Sequence, residues 1–70
     1  MSNAEMAVLG AAVLDPAKIL GLMADWGVKA DWFESPVAQD FFKTIFGMFT
    51  AGEAIDVHIA AERLRMVRKE

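Results

Sequence analysis

His58 is the only imidazole in this 70-residue chain, and Glu62 follows it at the one-turn spacing that sets two side chains on one helical face. A histidine beside a carboxylate is part of a general base or of a metal site. Here the pair lacks its complement: no Ser or Cys nucleophile is matched to His58 and there is no second histidine. His58 therefore reads as an exposed or capping side chain. Asp15, Asp25, Asp31, Glu34 and Asp40 offer carboxylates for acid–base work, but each falls at a cap, a turn or a polar face, where acids are expected anyway. Trp26, Trp32 and Phe33 flank one loop, where aromatic rings stack on bases or lodge in a partner's pocket. The charge around them is acidic, so they read as rings that lock the loop onto the core. Arg63, Arg65, Arg68 and Lys69 are spread around the last helix with Glu62 and Glu70 among them, and cations near a helix C-terminus are favoured by its dipole without any ligand. No catalytic, cofactor-binding or metal-ligating residue is assigned, and no cofactor is expected.

The elements that must position these residues are legible from their punctuation. Ser35 stands where an N-cap belongs and Pro36 at the first helical position, which needs no N–H donor. Val37, Phe41, Ile45 and Met48 then recur at helical spacing, with Ala38, Phe42, Phe46 and Phe49 in a second row beside them. The stripe is wider than a one-sided face, so this third helix is expected to be central. Gly52 supplies the left-handed residue that closes a helix, and Asp56 caps the next, whose apolar positions are Val57, Ala60, Ala61, Leu64 and Val67. Upstream, Asp15-Pro16 separates a first helix rich in small residues from a second that carries Ile19, Leu20, Leu22 and Met23 and stops near Trp26-Gly27. Helices are predicted over Asn3–Leu14, Pro16–Asp25, Pro36–Ala51 and Val57–Arg68. Gly10 inside the first helix costs about 1 kcal/mol relative to Ala, which points to a close helix contact there. Ser2-Asn3-Ala4 has two readings: a remnant of the kind expression vectors leave, or, with Glu5, a capping box. The expected fold class is all-α, a small orthogonal or irregular bundle of four helices over residues 1–70 as one domain.

Composition narrows the function classes. With 56% hydrophobic and 24% charged residues the chain belongs with folded proteins, and it must bury a dense core or share apolar surface with a partner. Cysteine is absent, which removes disulfides, thiolate zinc sites and cysteine nucleophiles and agrees with a cytoplasmic setting. Charges interrupt every apolar run before membrane-spanning length, so no membrane partner is expected. The net charge is −3, with three lysines against eight acids up to Asp56, and four basic residues against two acids from Val57 onward. That balance opposes a general nucleic-acid surface and leaves no basic recognition face for a helix-turn-helix DNA binder.

The ordered segments Ala4-Glu5-Met6-Ala7-Val8-Leu9-Gly10-Ala11, Leu14-Asp15-Pro16 and Trp32-Phe33-Glu34-Ser35-Pro36 resemble the opening helix, first turn and aromatic pair of the N-terminal domain of DnaB-type replicative helicases. Phe41-Phe42-Lys43-Thr44-Ile45-Phe46, Gly52-Glu53-Ala54-Ile55-Asp56 and Ala60-Ala61-Glu62-Arg63-Leu64 are similar to its next landmarks, so the likeness covers nearly the whole chain. Two positions depart: Phe42 stands where the family often has charged or smaller residues, and Ala54 where proline is frequent. The resemblance implies a non-catalytic collar domain that helps to organise contacts with primase and helicase loaders. Family domains continue through a helical hairpin and a linker into a RecA-like motor, and no phosphate-cradling Gly-x-x-x-x-Gly-Lys-Ser/Thr loop occurs in these residues. Nucleotide hydrolysis by this chain is therefore not expected. A stand-alone helical adaptor or phage-like regulator that binds a replication protein is the alternative reading.

Two adjacent apolar rows cannot both face the inside of a four-helix fragment, which leaves Phe42, Phe46 and Phe49 open between core and protein interface. The interface reading makes them contact residues of a homo-oligomer, with a twofold dimer the simplest form.

Overall fold

The computed structural model describes residues 3–68. Four α-helices follow in order, α1 (Asn3–Leu14), α2 (Pro16–Trp26), α3 (Pro36–Thr50) and α4 (Val57–Val67), and a 3-10 turn at Ala30–Trp32 lies between α2 and α3. No strand occurs among the described residues, and the all-α class is as expected. The last three helices each end within one residue of the predicted end. Ser2 of the capping-box reading, and Lys69 and Glu70 of the basic tail, lie outside the described residues.

The punctuation works as the residue types require. Ser35 Oγ accepts from the Val37 and Ala38 amides at 3.1 and 3.4 Å, and Asp56 Oδ1 accepts from the Ile59 amide at 2.9 Å. Gly27 and Gly52 take φ of 70° and 76°, a region that β-carbons disfavour. At both, the same pair of bonds closes the helix: Gly27 N to Ala24 O with Val28 N to Met23 O, and Gly52 N to Phe49 O with Glu53 N to Met48 O. Asp15 has the non-helical torsions φ −139° and ψ 72° imposed by Pro16, so α1 and α2 are separated by a single residue. The 3-10 turn was not anticipated: three residues are too few to show a period, and it closes through Trp32 N to Lys29 O and Phe33 N to Ala30 O.

α3 packs against α1, α2, the 3-10 turn and α4, which makes it the central element. Its buried residues are Ala38, Phe42, Ile45 and Met48. They take two members from each sequence row, because the buried stripe crosses from the second row to the first along the helix. Around them sit Leu9 and Ala12 of α1, Leu20 and Met23 of α2, Phe33 of the connection and Ala60 of α4. Phe33, Phe42, Phe46 and Phe49 form a run of ring contacts with centroids 5.3, 5.2 and 6.3 Å apart.

Two long-range polar links hold the periphery. Glu5 Oε2 accepts from the Glu34 amide at 2.6 Å, tying α1 to the residue before the α3 cap. Arg68 pairs with Asp40 at 2.6 Å and Arg63 with Glu53 at 2.8 Å, fastening α4 to α3 and to the connection before it.

Candidate interaction surfaces

The polar residues that might have carried chemistry are dispersed. His58 and Glu62 are both exposed on α4, and no hydrogen bond joins them. Among the described residues no group of His, Asp and Glu is arranged to hold a metal ion. Arg63 of α4 and Arg68 immediately after it are each engaged by a carboxylate, whereas Arg65 has no ion pair among the described residues.

Apolar surface is where the molecule is unusual. α1 and α4 each pack on α3 rather than on one another, and the space between them is an open groove of about 600 Å³. Met6, Gly10, Val13 and Leu14 of α1 form one wall. Val57 and Leu64 of α4 form the other, and Val37 and Phe41 of α3 lie between. Every lining residue is apolar or glycine. Leu14 is 88% exposed, Val57 59% and Met6 52%, so these side chains border one continuous patch rather than standing singly on the surface. Gly10 lies in this wall, and nothing stands within 4 Å of where its β-carbon would be. The close helix contact expected at Gly10 is thus absent: Gly10 faces open space, because α4 settles on α3 instead, and of the small residues of α1 it is Ala12 that enters the core.

The three phenylalanines expected at an interface have different fates. Phe42 is 3% exposed and belongs to the core, where Phe33 and Phe46 flank its ring. It therefore cannot be a surface contact. Phe46 and Phe49 are half-buried against that core. Partly covered apolar residues remain on both rows: the stripe's crossover leaves Val37 and Phe41 facing the groove as well as Phe46 and Phe49 half-buried on the other row.

A second apolar surface lies on α1, α2 and the connection after them. The expectation that Trp26, Trp32 and Phe33 all lock the loop holds only for Phe33, which is buried and whose carbonyl accepts from Gln39 Nε2 at 2.7 Å. Trp26 and Trp32 are 69% and 62% exposed. Both line one shallow depression of about 330 Å³, and Trp26 also lines a neighbouring one of about 220 Å³. The left-handed turn at Gly27 directs the chain across the surface here, and the 3-10 turn then presents Trp32 while Phe33 turns inward.

Helices joined by tight caps, dispersed titratable groups and contiguous exposed apolar surface define an all-helical domain of the protein-contact kind. The family described as DnaB-like helicase N terminal domain matches residues 1–70, the whole chain. This chain belongs to that family, whose domain is a helical part of the helicase distinct from its motor. Comparison with curated proteins gives no match, and comparison with solved structures gives none. No helix among the described residues is long and apolar enough to cross a membrane.

Proposed function

We propose that this chain is a non-catalytic assembly and protein-interaction domain of a DnaB-like replicative helicase, a single helical unit over residues 1–70 that works in the cytoplasm. It contributes to an oligomeric collar and to contacts with primase or a helicase loader, and touches neither nucleic acid nor membrane directly. The observation that carries this reading is the groove between α1 and α4, an uncharged apolar surface too continuous for a monomer to leave uncovered without loss. Self-association through it, with the half-buried edges of Phe46 and Phe49 as a lesser contact, buries that surface, and a twofold dimer is the simplest arrangement. Phe42 takes no part, being inside.

Sedimentation velocity tests the reading. At micromolar concentration the isolated chain is expected to run as a species larger than a monomer, and Leu14→Glu to return it to monomer with unchanged helical circular dichroism. A monomeric parent chain, or a Leu14→Glu variant that associates as before, removes the groove as the assembly surface.

A further inference from the structure

The groove carries no charge to select a partner, but the tryptophan surface does. Its two depressions share Val8, Met23 and Trp26, so they form one strip with two apolar recesses side by side. Ile19 and Leu22 lie at one end and Trp32 at the other. Acids are near it along the chain: Asp25 immediately precedes Trp26 and Asp31 immediately precedes Trp32, both exposed, and Glu5 lines the larger recess, hydrogen-bonded to the backbone of Glu34. Between Trp26 and Glu34 the only cation is Lys29.

We propose that this strip is a docking site for a cationic amphipathic segment of another protein, with two apolar anchors on one helical face and Lys or Arg beside them. Each anchor fills one recess. The cations lie over the exposed indole faces and against Asp25 and Asp31, where cation–π attraction and charge complementarity act together. Exposed Trp walls around apolar recesses are the residue type and shape that dominate protein–protein contacts. Phosphate-bearing partners are disfavoured, since nucleic acid and anionic lipid would meet carboxylates at the positions where they need Lys and Arg. The strip lies on the α1–α2 side and shares no residue with the α1–α4 groove, so it stands whether or not the groove mediates assembly.

The chain's two tryptophans both line the strip, so all indole fluorescence reports its occupancy. The experiment titrates a short synthetic helical peptide of leucine and lysine into the Leu14→Glu variant, which separates strip binding from groove association. A saturable blue shift is expected, weakened by added salt and reduced in affinity about fivefold by the double change Asp25→Asn and Asp31→Asn, with circular dichroism checking that the variant is folded. An equal shift from a leucine–glutamate peptide of the same apolar content would overturn the charge selection. No shift at all, or a shift unaffected by the two substitutions, would overturn the site. Emission that shifts blue with protein concentration alone, and no further on adding peptide, would assign the strip to a second copy of this chain instead.

Discussion

α3 and α4 begin alike and end up differently. Each opens on a side-chain cap, Ser35 for one and Asp56 for the other, and each carries apolar residues at helical spacing. α3 buries Ala38, Phe42, Ile45 and Met48 and touches every other element. α4 buries only Ala60 and leaves Val57, Ile59, Met66 and Val67 more than a third exposed. Local signals thus make two helices equally, but only packing makes one of them structural. α3 carries the core, whereas α4 is a surface element held by one small residue, partly covered apolar neighbours and two ion pairs, with a groove beside it.

The largest test of this contrast lies in side-chain truncation. Ile45→Ala is expected to remove about 2–5 kcal/mol, enough to threaten a domain of this size, because Ile45 has no exposed surface. Met66→Ala, at 68% exposure, is expected to stay within about 0.5 kcal/mol. Chemical denaturation of both variants decides the matter, and comparable losses would mean that α4 is as integral as α3.

Removing the caps gives the next effect, about 1 kcal/mol each for Ser35→Ala and Asp56→Ala. The location of the damage should differ. In amide hydrogen exchange, Ser35→Ala lowers protection across the bundle, since α3 unfolds only with everything packed on it. Asp56→Ala lowers it in α4 alone. Uniform loss in both variants would erase the distinction between core and peripheral helix.

Gly10→Ala should go the other way. The added methyl meets nothing within 4 Å, and alanine is the better helix former by about 0.8–1.0 kcal/mol, so the melting temperature is expected to rise. A fall would show that the groove wall at α1 is closely packed after all. The smallest effect is that of Arg63→Ala, whose ion pair to Glu53 is 46% and 41% exposed: a few tenths of a kcal/mol, vanishing in high salt.

Much of this molecule was open to reading from the chain alone. Ser35-Pro36, Asp15-Pro16, Asp56, Gly27 and Gly52 act within one helical turn, through caps, ring constraints and positive φ, so their outcome depends hardly at all on distant residues. The helices, their order and the central place of α3 followed from these signals and from the width of its apolar stripe. The 3-10 turn at Ala30–Trp32 left no such trace. Nor did the division of apolar residues between inside and outside. Which of the two rows on α3 faces inward depends on how neighbouring helices cross it, and the answer is a stripe that takes Ala38 and Phe42 from one row and Ile45 and Met48 from the other.

The candidate surfaces divide in the same way. Sequence determined that apolar residues outnumber what four short helices conceal, that no phosphate-binding loop or cysteine chemistry is present, and that acids crowd the connection around the two tryptophans. Tertiary structure alone decided that Phe33 turns in while Trp26 and Trp32 turn out, and that Phe42 is core while Leu14 borders a groove. The physical reason is that hydrophobicity drives burial without direction. A chain can state how much apolar surface must be covered, but which residues are covered is settled only when elements far apart in sequence compete for the same space.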